Sequence, residues 1–509
     1  MMDLMYVKPW SGRKGLEYTA PFQTMTKEGE GPKIELLWGD TVQLLEKIKD
    51  GSTSVKARAR GWEGMIDPAV LGDTPLLEVY FIDVGQGDGV LIVAPEMEQR
   101  RHILIDGGNL RSKQQTLRNA ADFVDWKFCR EYGGTEIRLD AMIASHCDID
   151  HYGGLWDLVN PDPKCRKELN CESVSVSSFY HAGVSHWANA QDKDSLGEIA
   201  DKRYLTWLLG DRSSAKKATD GSGSRSLYGS WAEFIAGVVS STKANIQRLS
   251  HVTGYLPGYD PAGGPFRIRV LAPYEESYQG KPAIKSYGTR SFDTNGNSIV
   301  LRLDYGSARI LLNGDLNSLC QRYLMEQYAA EPDAFACDVV KGCHHGSDDV
   351  SYAFMQAMNA AATVISSGDS ESYGHPRPNI VAASALTGYV QLGNDELITP
   401  LVYSTEIERS YKLKAPLEAI GTVKIGGQPQ AVVLKKTSNA NTDPQLLLEK
   451  EKLADGSYKQ YSRRMSEAHV VRGVVYGLVN VRTDGETILC GTMNEAKAAW
   501  NYKVFSARF

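Results

Sequence analysis

The stretch SHCDIDHYGG (145–154) constrains this chain more than any other. It follows LDAMIA (139–144), a run apolar enough for a buried strand, and places His146, Asp148, Asp150 and His151 within six residues. In extended chain, alternate side chains point the same way. His146, Asp148 and Asp150 would therefore face one side, with Cys147 and Ile149 turned into the fold. Gly153 and Gly154 predict a tight start to a following helix. Two adjacent carboxylates disfavour each other's charged form unless a cation neutralises them. Imidazoles and carboxylates together suit a divalent cation. A polar surface turn is the alternative, but further ligand-type residues also follow strand-like runs. Asp315 ends ARILLNGD (308–315), His344 and His345 follow DVVKGC (338–343), and His375 lies shortly after TVISSG (363–368).

The segment LEVYFIDVGQGDGVLIVAP (77–95) carries a second glycine-rich turn, GQGDG (85–89). A dinucleotide-binding loop needs a helix next, whose N-terminus meets the pyrophosphate. VLIVA (90–94) is a strand pattern instead, so that reading fails. RRHILIDGG (100–108) is a third strand ending in Asp-Gly-Gly. A helical stripe of Leu117, Ala121, Val124 and Phe128 follows, within 114–130. Residues 160–290 read as an insertion with helices around 196–210 and 231–248 and a surface loop at 216–230. NSIVLRLDYGSARILLNGD (297–315) reads as a hairpin, and helices are expected at 316–329 and after YGHPRP (373–378).

A chain of 509 residues with 42% hydrophobic and 23% charged side chains is an ordinary globular composition, large enough for two to four domains. No apolar run approaches the roughly 20 residues that span a bilayer, and the start lacks a secretory core. A cytoplasmic protein with no membrane contact is the expectation. The eight cysteines do not read as a disulfide framework, and Cys165 with Cys171 is either a small metal or redox pair or two unrelated thiols. The net charge of −6 argues against a nucleic-acid-coating surface but not against a local groove. In VKARARGW (55–62), Lys56, Arg58 and Arg60 would share one strand face, as a solvated edge or as a phosphate contact. Residues 1–30 read as an irregular lead-in, 65–75 as a linker, and the tail from about 400 as mostly β, its last hairpins either completing the core sheet or forming a small separate unit.

Taken in order, FIDVGQGDG, LIDGG, SHCDIDHYGG, LLNGD, GCHHGS and YGHP resemble the metallo-β-lactamase fold in its ComEC-type branch, over roughly residues 77–405. The transmembrane channel of that branch has no counterpart here. The resemblance implies an α/β fold, a four-layer αβ/βα sandwich, with a catalytic domain at 76–437 between β-rich additions at 1–72 and 438–509. It implies two divalent metal ions, zinc or manganese. His146, Asp148 and His345 would hold one; Asp150, His151 and His375 the other; Asp315 would bridge them. His181, His186 and His251 are alternative donors for the first site. Asp106 resembles an acid that fixes a ligating imidazole, with a helix cap as its alternative. Asp83 and Asp88 flank the glycine turn beside the metal edge, where turn hydrogen bonding is their simpler role. His344 and Asp150 are the expected catalytic pair, His344 giving a proton to the leaving group.

Paired cations lower a bound water's pKa toward ~7, which implies a hydrolase using metal-bound hydroxide, and the resemblance implies a phosphodiesterase or nuclease acting on nucleic acid or nucleotides. The alternatives are a non-catalytic metal-binding scaffold and an esterase on phosphorylcholine- or lactone-type substrates. KIELLWGD (33–40) and SVKARARGWEGMI (54–66) resemble a small bacterial Src-homology-type barrel, which implies a peptide or protein partner. A β-rich cap on the next domain accounts for the same residues.

Overall fold

In the computed structural model, residues 4–12, 15–96, 100–114, 116–368, 375–405, 478–494 and 499–509 are described in full. Strands Glu418–Ile425, Gln428–Lys435, Gln445–Lys452 and Tyr458–Arg464 are described by their backbone, a four-stranded antiparallel meander. Tyr373 and Gly374 of YGHP, and most of 438–477, lie outside the described residues.

The protein is a mixed α/β fold whose main core lies between two of its three large sheets. The first has nine strands. In spatial order they are Asn245–Arg248, Ser173–His181, Glu136–Ala144, His102–Ile105, Val90–Val93, Leu77–Phe81, Val479–Thr483, Thr487–Asn494 and Ala499–Ser506. The second has six: Phe266–Ala272, Val300–Tyr305, Ala308–Leu312, Val339–Lys341, Ala362–Ile365 and Leu401–Ser404. Their apolar faces share one core, in which Val79, Ile92 and Ile143 of the first sheet meet Leu301, Ile310 and Val364 of the second. The opposite face of the first sheet, with Tyr80, Leu91 and Met142, packs on helix residues Val124, Leu155 and Phe234. That of the second, with Leu311 and Val340, packs on Leu324 and Phe354. Burial on both faces is why these strands read as continuous apolar runs rather than alternating ones.

Several ligand-type residues leave the C-terminal end of a strand that runs parallel to a neighbour. Asp106 follows His102–Ile105, His146 follows Glu136–Ala144, Asp315 follows Ala308–Leu312, and His344 follows Val339–Lys341. All therefore emerge on one edge of the two sheets.

Five expectations are corrected. Residues 4–37 are not irregular: they supply strands Leu4–Val7, Thr19–Thr26 and Gly29–Leu37 to a seven-stranded antiparallel sheet that ends at Leu71–Gly72, so much of the supposed linker is also in register. The last three strands do not form a separate extension from 438. Val479–Thr483 pairs along Leu77–Phe81 and completes the first sheet. Nor is 160–290 only an insertion, since it contributes Ser173–His181 and Asn245–Arg248 to that sheet. The helix expected around 231–248 is present as Gly229–Ser241, whereas 196–210 holds short strands and Arg212–Thr219, partly within the expected surface loop, is helical. The stripe at 114–130 begins only at Ala120, because Asn119 and Asp122 form a capping box there and leave Leu117 exposed. Among the described residues no helix is long and apolar enough to cross a membrane.

Candidate metal centre

The opening motif folds differently from a continuous extended run. Alternation stops at Asp148, the N-cap of helix Ile149–Val159, so Asp150 and His151 arrive on the first helical turn. The glycines explain how that turn reaches the site. A Cβ on Gly154 would overlap the Gly107 carbonyl, and one on Gly153 would overlap the Leu110 amide. A Cβ on Gly87 would overlap the Asp150 carbonyl. The three glycine motifs thus serve close backbone approach, bringing the 85–89 loop, the 106–110 loop and the helix together.

His146 and His151 are buried beneath a cleft of about 740 Å³ lined by Asp148, Asp150, Asp315, His344, His345 and His375 among others. Asp315 Oδ2 is the centre of the cluster. It lies 2.9 Å from His345 Nε2, 3.3 Å from His151 Nε2 and 3.9 Å from His344 Nε2. His146 Nε2 lies 3.7 Å from Asp148 Oδ2, and His345 Nε2 lies 3.8 Å from Asp150 Oδ2. His146, His151 and Asp315 bring donor atoms within 4.8 Å of one another, as do Asp150, His151 and His345. His345 therefore sits with Asp150 and His151, not with His146 and Asp148 as the resemblance implied. The backbone explains this: His344 and His345 both take left-handed conformations (φ 45° and 52°), which swing His345 in over Asp315. Such residues cost of order 1–3 kcal/mol each and persist where the surroundings hold them.

Whether these residues fit a metal is tested by their nitrogen atoms. The Nε2 atoms of His146, His151 and His345 are buried, and those of His151 and His345 are turned on Asp315 Oδ2. Each ring is held through its other nitrogen. His151 Nδ1 meets Asp106 Oδ2 at 2.9 Å, His345 Nδ1 meets the Ser366 carbonyl at 3.2 Å, and His146 Nδ1 meets the Ser145 hydroxyl at 3.0 Å. A neutral imidazole that donates through Nδ1 offers a lone pair at Nε2, which is how protein-held imidazoles serve as metal ligands. The donor set fits divalent cations.

The electrostatics point the same way. Burial, then His151, pushes His146 down to about 3, so it is neutral at pH 7. Burial opposes charge on His345, but Asp315 and Asp88 outweigh it and hold it up at about 10. Burial likewise opposes charge on His151, yet Asp315 and Asp106 raise it well above the usual range. Burial and then Asp150 raise Asp148, while the histidines and Lys341 hold Asp315 well below the usual carboxylate range against burial. A cation bound among these groups would displace protons from them.

The remaining candidates are placed as follows. Asp106 also accepts the Ser145 amide at 2.7 Å, so it orients His151 and caps no helix. Asp83 accepts the Gly85 amide at 3.2 Å within the glycine turn. Asp88 is not a turn residue; it is buried against Lys341, with His345 Nδ1 3.3 Å away. His375 is buried, with its ring 6.1 Å from that of His344, and burial followed by His345 lowers it to about 4. His186 Nε2 lies 3.9 Å from Asp148 Oδ1 but also 3.0 Å from the Cys147 carbonyl. His181 is held by the Gly210 carbonyl and the Gly183 amide, and His251 stacks on Tyr274. Cys147 and Cys343 are buried in the two helix-side cores. Cys171 is joined to Cys129 rather than paired with Cys165.

The basic stripe is divided. Lys56 and Arg58 lie on one face of Val55–Ala59 and both pair with Glu63. Arg60 lies beyond the strand in a left-handed turn and is committed to Asp40 at 2.7 Å. Sequence reasoning missed Lys341, buried between Asp88 and Asp315, and Gln86, whose amide reaches Asp150 at 3.3 Å. A lysine closing an apolar strand beside two histidines was the available signal.

No family model matches the chain. A stretch of 88 residues is 35% identical to the competence protein ComA of Neisseria gonorrhoeae, covering 17% of this chain and 12% of that protein's length. A solved metal-dependent hydrolase of the β-lactamase superfamily superposes over 65% of this chain and 96% of its own, with 13% identity and a TM-score of 0.31.

Proposed function

We propose that this chain is a hydrolase that holds two divalent cations, zinc or manganese, and cleaves phosphodiesters in nucleic acid or nucleotides, on a four-layer αβ/βα framework. The observation that carries the reading is the convergence of the buried Nε2 atoms of His151 and His345 on Asp315 Oδ2, with His146 within donor reach of the same group, at the floor of an open cleft. Cations bound there would acidify a water and offset charge building on the attacked centre. His146, His151, His345, Asp148, Asp150 and Asp315 are the donors, and the three carboxylates make an oxygen-rich set that admits manganese beside zinc. His375 stands at the same cleft as a further donor.

The chain's own residues do the rest. Gln86 holds Asp150 through its Oδ2. His344, partly exposed at the cleft with Nε2 3.4 Å from the Asn295 amide, is the proton donor to the leaving oxygen. Arg377 lines the same cleft as a cation suited to an anionic phosphodiester, while Arg290 there is paired with Asp194. The test is a metal-dependence panel of plasmid DNA, single-stranded DNA, RNA, cyclic nucleotides and a chromogenic phosphodiester, with Asp150→Ala as control. Cleavage that needs added metal and is lost in the variant supports the reading; cleavage surviving Asp150→Ala contradicts it.

A further inference from the structure

Lys341 is the last residue of strand Val339–Lys341, and its side chain is 2% exposed. Lysine is almost never fully buried without a partner, because its ammonium is costly to strip of water. Here Nζ has three. It donates to the Gly314 carbonyl at 2.9 Å, lies 3.4 Å from Asp315 Oδ1, and contacts Asp88 Oδ2 directly. One ammonium therefore ties together the strand end, the backbone just before Asp315, and the GQGDG loop.

The consequence lies in which oxygens remain. Asp315 Oδ1 is turned toward Lys341, while Oδ2 alone faces the histidine Nε2 atoms. Asp88 gives Oδ2 to Lys341 and keeps Oδ1 3.3 Å from His345 Nδ1. A well-packed apolar residue would stabilise a strand end at least as well as a buried ion pair. The arrangement instead fixes the orientation of a carboxylate at the centre.

We infer that Lys341 is a positioning residue for the metal centre, holding Asp315 by one oxygen so that the other is aimed at the ions. This rests on the metal-dependent reading proposed above.

The test compares the full-length wild type with Lys341→Met and Lys341→Met/Asp88→Asn, all stripped of metal. Each is titrated with Mn²⁺ followed by electron paramagnetic resonance and with Zn²⁺ followed by a chromophoric chelator, beside a thermal melt. Losing a partner that orients a ligand weakens metal affinity by roughly 10–100-fold. That loss is expected in both variants, whereas the double variant regains melting temperature because an unpaired buried carboxylate is gone. A purely structural Lys341 predicts otherwise. Wild-type affinity in a folded single variant, or affinity that returns with melting temperature in the double variant, overturns the inference. Should the single variant not fold, the double variant carries the test; if it does not fold either, Lys341 is structural and the inference fails. A wild type that takes up neither ion overturns the proposed function itself, and this role with it.

Discussion

Replacing Asp106 by asparagine changes one atom and tests how the centre is organised. Asp106 is 1% exposed and makes two contacts, Oδ1 to the Ser145 amide at 2.7 Å and Oδ2 to His151 Nδ1 at 2.9 Å. In Asp106→Asn the first survives, because a carbonyl oxygen still accepts from Ser145. The second becomes donor against donor. His151 then keeps its one proton on Nε2 and offers its Nδ1 lone pair to the asparagine amide, so that Nε2 has no lone pair to give a cation. A hydrogen bond to a charged group contributes about 1.5–3 kcal/mol. At 1.4 kcal/mol per tenfold, that is about 10–100-fold in cation affinity. Calorimetric titration of wild type and variant with Zn²⁺ or Mn²⁺ measures it, and a circular dichroism melt checks that the fold persists. A folded variant with unchanged metal affinity would refute the claim that Asp106 sets the tautomer of His151.

Two further outcomes follow from the geometry. Gly154→Ala places a methyl group into the Gly107 carbonyl and lifts the Asp150–His151 turn away from the 106–110 loop; overpacking of this kind costs about 1–3 kcal/mol, so a lowered melting temperature with weaker metal uptake is expected, and neither changing would contradict the close approach. Asp40 is buried between Arg60 and Arg482, and although burial raises its pKa, the two guanidinium groups outweigh it and hold it below its ordinary value. A depressed carboxylate contributes stability that is present above the unfolded pKa near 4 and is lost as pH falls through the folded one. The urea midpoint should therefore drop on acidification below about pH 4 in wild type and drop less in Asp40→Asn; parallel curves would show that the pair contributes nothing.

The site was more legible in the sequence than the architecture around it. Ligand-type residues could be found because strand, tight turn and donor occur together in a short window, as in LIDGG and LLNGD. What the window hides is rotation. Two consecutive left-handed histidines decide that His345 turns toward Asp150, and neither residue type announces that conformation. Lys341 and Asp88 were hard to assign because each acquires its role from a loop far away in sequence. The same cause displaced the domain boundary. Val479–Thr483 pairs with Leu77–Phe81 across some four hundred residues, and no local periodicity marks such a partner. Arg482 is informative only after folding, when its guanidinium meets Asp40 and the Trp38 carbonyl of the N-terminal sheet. Strand Gly29–Leu37 opens on GEGPK, residue types that read as loop, and its register comes from its neighbour Thr19–Thr26.

The central claim is that buried imidazole and carboxylate groups around Asp315 hold a pair of cations. Metal content of the purified chain after reconstitution and desalting, measured by inductively coupled plasma mass spectrometry, tests it most directly. About two equivalents are expected in wild type, as in two-metal hydrolytic sites, and fewer in Asp315→Ala. A folded wild type that retains no divalent metal at neutral pH, or an Asp315→Ala variant that retains as much as wild type, would contradict the account.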